Sequence, residues 1–219
     1  MADAEQEIIV TVGAAEALFM AMVGHLNPGD EVIVIEPAFI NYVQIARMAG
    51  AIPVIVAARE ENNWIVDPED VQAVVTERTR MLVINTPSNP TGAVIPREVL
   101  AALGEIATKH NLLVLSDEIY EKIIYNDNDH VSIASLPGLG ERVITVNGYS
   151  KAYAMTGWRL AYVVAKPDLI LPMLKVHQYT TTCAPTFAQF GAIAATTESQ
   201  NCVTNMVEKF QRRRDLVVK

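Results

Sequence analysis

Seven short apolar runs recur along the chain, separated by turn residues or by stretches with helical spacing. Glu7 to Val12 (EIIVTV) is β-branched and stops at Gly13-Ala14-Ala15, where a helical pattern begins and reaches about Leu26. Asn27-Pro28-Gly29-Asp30 is turn chemistry, and Glu31 to Ile35 is a second strand ending before Pro37. Ile52 to Ala57 is a third. Asp67-Pro68-Glu69, just after Trp64, opens a helix with Asp67 as its cap and Pro68 in its first turn. Arg80 to Asn85 is a fourth strand. The helix opened by Pro96 sets Val99, Leu100, Leu103, Ile106 and Ala107 on one face, as a helix lying on a sheet requires, and Asn111 ends it. Leu112 to Leu115, Val143 to Val146 and Leu160 to Ala165 complete the seven. Two helical segments follow, roughly Pro167 to Thr181 and Pro185 to Val217, with a break at Cys183-Ala184-Pro185.

Strands alternating with helices predict one α/β domain: three layers, α/β/α, around a mostly parallel seven-stranded sheet. In such sheets ligands sit in the crevice outside the strands' C-terminal ends. The candidate chemistry falls at those ends. Gly13-Ala14-Ala15 puts small residues and free amides at a helix N-terminus, a plausible phosphate cup and also the ordinary grammar of any strand-to-helix unit. Phe39 follows the second strand, where a ring can face a ligand, with Tyr42 nearby on the opening helix. Asn89 is held in a loop by Pro87, Pro90 and Gly92. Asp117, at the tip of a buried strand, wants a cation, because an unpaired buried carboxylate is costly, whereas Glu118 is free to turn to solvent. Lys151 ends an apolar strand just after Gly148 and Ser150. Taken alone it is one more surface lysine, and Arg159 half of an ion pair.

Composition narrows the function classes. An apolar fraction of 51% with 19% charged residues describes a globular protein. A net charge of -8 excludes general affinity for nucleic acid or anionic membrane. The one basic run, Arg212-Arg213-Arg214, reads as a solvated helix face. Cys183 and Cys202 have no metal or disulfide spacing and read as small core or interface thiols in a reducing compartment. The apolar runs are too short to span a membrane and the start MADAEQE is not a signal peptide, so a cytoplasmic protein is expected. Asn126 to Asp129 reads as an exposed polar loop without metal spacing. Gly138-Leu139-Gly140 precedes a strand, which rules out a dinucleotide fingerprint. No metal site is expected.

Gly13-Ala14-Ala15, the SNPTG at Ser88 to Gly92, the SDEIY at Ser116 to Tyr120 and the SKxxxMTGWR run at Ser150 to Arg159 occur in that order. Together they resemble the successive signatures of the class I and II, fold-type I, pyridoxal-phosphate-dependent aminotransferases. The resemblance implies pyridoxal 5'-phosphate as cofactor, with Lys151 as the catalytic residue that forms the internal aldimine and then carries the substrate's proton. An amine suits both tasks. By the same resemblance Asp117 pairs with the pyridinium nitrogen, Tyr120 and Asn89 bond the phenolic oxygen, and Phe39 stacks on the ring. Arg159, Ser150 and the amides of Ala14 and Ala15 hold the phosphate, the guanidinium fork gripping its oxygens in pairs. Two positions depart from the family pattern: Gly148 stands where many relatives carry Ser or Thr, and Ala161 where they carry Gly.

Family members are about twice as long. The resemblance therefore implies that residues 1–219 are a pyridoxal-phosphate-binding large domain, incomplete at its N-terminus and without the C-terminal small domain. Residues 167–219 are helical and lead toward that missing domain, which holds the family's arginine for the substrate carboxylate. The chain alone is expected to be poorly soluble or misassembled. The implied activity is transfer of an amino group between an amino acid and a 2-oxo acid. A lyase or decarboxylase of the same fold, a non-catalytic cofactor-binding fragment and the effector domain of a regulator are alternatives. The family's homodimer implies an interface near Gln178 to Pro185.

Overall fold

The computed structural model describes residues 2–126 and 128–218, so Asp127 of the expected polar loop lies outside it; Asn126, Asn128 and Asp129 are exposed. The elements run β1 (Ile8–Thr11), α1 (Ala14–His25), β2 (Glu31–Glu36), α2 (Asn41–Met48), β3 (Ile52–Ala57), α3 (Pro68–Ala73) and β4 (Thr79–Asn85). Then follow α4 (Arg97–Lys109), β5 (Leu113–Asp117), β6 (Val143–Gly148), β7 (Ala161–Val164), α5 (Pro167–Thr180), α6 (Thr186–Thr197) and α7 (Asn201–Val217). The seven strands form one sheet in the order β1-β7-β6-β5-β4-β2-β3. β7 is antiparallel to both its neighbours and the other pairings are parallel. Because β7 reverses, β1 and β6 point the same way, and their C-terminal ends reach the same sheet edge as those of β2, β4 and β5.

The strands' uninterrupted apolar runs follow from burial on both faces. Val32, Val34, Met81, Val83, Leu115, Ile144 and Val146 face a core shared with α1, α2 and α5. The alternate residues Ile33, Leu82, Ile84, Val114 and Val143 face a second core beneath α4, as a two-residue side-chain period requires. Asp67 caps α3 as its sequence predicts, its Oδ1 accepting the Glu69 N–H at 2.9 Å. Among the described residues no helix is long and apolar enough to cross a membrane.

Four expectations need correction. Strict alternation fails, because β5 to β6 and β6 to β7 are joined by loops carrying only 3₁₀ turns. The segment expected as one helix from Pro185 to Val217 is two, α6 and α7. At their junction the Thr197 hydroxyl bonds the Ile193 carbonyl, and Gln200 Nε2 bonds the carbonyls of Ala195 and Glu198, satisfying helix-end groups locally. Both cysteines are exposed and free rather than core residues. Of the arginine run, Arg212 and Arg213 are exposed, but Arg214 folds back over the Tyr125 ring at 4.9 Å and bonds Asp215.

Candidate active site

The sheet edge gathers Ala14, Ala15, Phe39, Asn89, Asp117, Tyr120, Ser150, Lys151 and Arg159 around one cavity of about 290 Å³. On one side is the turn between β1 and α1. Gly13 has φ 78° and ψ 165°, a conformation open to glycine, and Ala14 and Ala15, the first residues of α1, line the cavity. A Cβ on Gly13 would lie 2.5 Å from Arg159 Nη2, so the glycine lets the guanidinium come against the helix start. Arg159 itself has φ 53° and donates to the Thr156 carbonyl at 2.9 Å. Among the described residues it makes no ion pair, so its remaining donors stay available to an anion. Ser150, buried, lines the same end.

Asp117 ends β5 at 4% exposure. Tyr42 Oη donates to its Oδ2 at 2.8 Å and the Ile119 N–H to Oδ1 at 3.2 Å. Burial pushes its carboxyl up to about 6; the Tyr42 and Ile119 hydrogen bonds oppose this, Glu118 adds to it and the Lys151 charge opposes it. A buried carboxylate with two neutral donors and, among the described residues, no ion pair fits a site shaped for a positive group. Lys151 reaches in from the loop after β6, its Nζ 5.6 Å from the Tyr120 ring centre. Phe39 meets Tyr42 edge-on, ring centres 5.9 Å apart at 82°, and presents the rest of its ring to the cavity. Asn89 lines the wall between this cavity and an adjoining one of about 780 Å³, together with Tyr120, Ser150, Lys151 and Thr156.

Glu118 is not turned to solvent. It is 2% exposed and accepts from the hydroxyls of Ser116 at 2.8 Å and Ser132 at 2.9 Å, with His130 Nε2 3.0 Å away. His130 and Ser132 lie 12 and 14 residues downstream in a loop whose path the strand pattern does not reveal. They also satisfy the carboxylate without a metal, although Glu121 is close by.

Two contributors escaped sequence reasoning. Tyr42 was visible only as an aromatic three residues after Phe39, in the first turn of α2 while Phe39 precedes that helix. Asn85 looked like a strand end. It pairs with Asp117 in the sheet, donates to the Asp117 carbonyl at 2.9 Å, and accepts the Asn89 N–H at 2.7 Å. One amide therefore fixes both the Asn89 loop and the β5 tip. The two departures from the family pattern also meet: Gly148 and Ala161 are register partners, and a Cβ on Gly148 would lie 2.6 Å from the Ala161 Cβ.

The aspartate aminotransferase of Pyrococcus abyssi is 44% identical over 220 residues, covering 100% of this chain and 57% of that protein. Aromatic-amino-acid aminotransferase 2 of Thermococcus litoralis is 39% identical, with the same coverage of both. The crystal structure of the aromatic aminotransferase from Pyrococcus horikoshii superposes with a TM-score of 0.96 at 43% identity, covering 99% of this chain and 58% of that one. The chain thus spans little more than half the length of these relatives. The family described as aminotransferase class I and II matches residues 1–219. With the same fold and a family match along its whole length, the chain belongs to the class I and II aminotransferases.

Proposed function

We propose that the chain is the cofactor-binding domain, residues 1–219, of a pyridoxal-phosphate-dependent aminotransferase that moves an amino group between an amino acid and a 2-oxo acid. The observation that carries this reading is the convergence of Lys151, the buried Asp117 and the unpaired Arg159 on one cavity. When bound, the cofactor's pyridinium ring draws electron density from the substrate's α-carbon and so eases loss of its proton. Asp117 holds the positive ring nitrogen, which answers the cost of its own burial. Lys151 Nζ is the nucleophile and then the proton carrier. Tyr120 and Asn89 bond the phenolic oxygen, Phe39 covers one ring face, and Arg159, Ser150 and the Ala14 and Ala15 amides take the phosphate.

The same reading makes the protein a cytoplasmic homodimer, with residues 167–219 leading toward a small domain. Exposed Tyr179, Phe187, Phe190 and Ile193 on α5 and α6 support an interface there. Light scattering of the purified protein checks the dimer.

The test is to add pyridoxal phosphate, follow the visible absorption band, reduce with borohydride and map the modified peptide. Labelling at Lys151 that is lost in Lys151→Ala is the expected result. A folded chain with neither band nor label overturns the reading. In the presence of amino acids, cofactor recovered in its amine form supports transamination, and cofactor recovered as aldehyde supports a lyase.

A further inference from the structure

The turn that aims the α1 amides is held from behind. Glu16, two residues into the helix from Ala14, carries a carboxylate bound at both oxygens. Its Oε2 accepts the Val12 N–H at 2.5 Å. Its Oε1 lies 3.1 Å from His177 Nδ1 and accepts the Thr181 hydroxyl. Thr181 Oγ1 is itself 3.2 Å from His177 Nδ1. The side chains of His177 and Glu16 are 7% and 9% exposed, so water competes little for these bonds. At the opposite end of the same helix pair, Gly24 lets the α1 backbone approach Pro172 and Met173 of α5 closely, within 3.3 Å of where a Cβ would stand. The two helices are therefore antiparallel neighbours, packed tightly at one end and clamped at the other.

An acid in the first turn is ordinary helix chemistry, but here it stands next to amides assigned to a phosphate. Left unpaired, its charge would oppose a second anion at the same helix start. The Thr181 hydroxyl and His177 Nδ1 hold the carboxylate against α5. The bond to Val12 fixes the residue before Gly13. Besides it, Gly13 is tied by its N–H to the Thr11 carbonyl at 2.9 Å and by its carbonyl, which accepts the Thr11 hydroxyl at 3.2 Å and the Ala17 N–H at 3.4 Å. Arg159 lies against this turn, its Nη2 2.5 Å from where a Gly13 Cβ would stand, so a shift of the turn alters the spacing between the two.

We infer that Glu16 and His177 form a positioning pair for the phosphate-binding turn, setting the α1 amides and their spacing from Arg159 through a clamp anchored on α5. The inference rests on the proposed cofactor site. A clamp that only fastened α1 to α5 would matter to stability and not to which cofactor is bound.

The experiment compares dissociation constants for pyridoxal 5'-phosphate and for pyridoxal, which lacks the phosphate, in the wild type, Glu16→Gln, His177→Gln and Met173→Ala. Met173 is fully buried in the α1–α5 core, so its truncation loosens the packing without touching the clamp. The expected result is a roughly tenfold loss of pyridoxal phosphate affinity in Glu16→Gln and His177→Gln with pyridoxal affinity unchanged, and an unchanged ratio in Met173→Ala. Equal losses for both ligands, or the same ratio change in Met173→Ala, would overturn the positioning role. A wild type that binds the two ligands equally would refute the cofactor site itself, which separates the two failures. Should Glu16→Gln not fold, His177→Gln carries the same comparison.

Discussion

Asp117 makes the cofactor-free fold less stable than it need be, and replacing it by asparagine measures by how much. The folded carboxyl titrates at about 6 against a usual 3.8. At about 1.36 kcal/mol for each tenfold change in proton affinity, that difference is worth about 3 kcal/mol. The sign is the reverse of the common salt-bridged acid. Below about pH 4 the group is protonated in the folded and unfolded chain alike, and burial costs little. Through pH 4 to 6 the folded chain holds a proton that the unfolded chain gives up, so stability falls as pH rises. Asp117→Asn keeps an oxygen for one of the two donors, the Tyr42 hydroxyl or the Ile119 N–H, and has no such titration. Urea unfolding of both proteins without cofactor, from pH 4 to 8, should show the variant gaining up to about 3 kcal/mol relative to wild type as pH rises. For a chain of this size that is a melting shift of about 6–12 °C. Any cost of an unbonded amide N–H is constant across this range and leaves the slope intact. Saturating pyridoxal phosphate should remove most of the slope in the wild type, because a pyridinium beside the carboxylate stabilises its charged form. Parallel pH curves for the two proteins, or a difference that grows toward low pH, would refute the reasoning.

Tyr42→Phe should cost about 1.5–3 kcal/mol above pH 6, the range for a hydrogen bond to a charged acceptor, and move the Asp117 titration higher still, as NMR of the carboxyl would show. Gly148→Ser alone should destabilise by about 1–3 kcal/mol through overpacking against Ala161. Ala161→Gly in the same chain should recover only part of that, because the residue 161 Cα at 2.7 Å and the Leu160 carbonyl at 3.0 Å also crowd the new Cβ; strictly additive effects in chemical unfolding would show the pair uncoupled. At the start of β2, Glu31 is held below the usual carboxylate range by the Thr76 hydroxyl and then by Arg78. Thr76→Ala should therefore cost about 1.5–3 kcal/mol near neutral pH, and the deficit should shrink as acid protonates Glu31, a trend that unfolding from pH 7 to 2 can follow.

What the sequence by itself determined is whatever local patterning and strand-end chemistry specify. Seven apolar runs, their turn residues and the Asp67 cap gave the elements. The rule that parallel strands collect their ends at one edge was enough to bring Ala14, Phe39, Asn89, Asp117 and Lys151 to a common crevice, and the order of the motifs named the family. The tertiary structure alone decided what depends on contacts between distant segments. Which strand runs antiparallel is set by the short connection from β6 to β7. Whether Glu118 faces water or protein is set by Ser132 and His130 arriving from a loop. The Asp117 partner is Tyr42, 75 residues away, and the Glu16 clamp closes over more than 160 residues onto α5. Gly148 and Ala161 looked like two separate departures until the β6–β7 register set them side by side. Apolar periodicity is a property of neighbours in the chain, and a hydrogen bond or a van der Waals contact between remote side chains is a property of the packed fold.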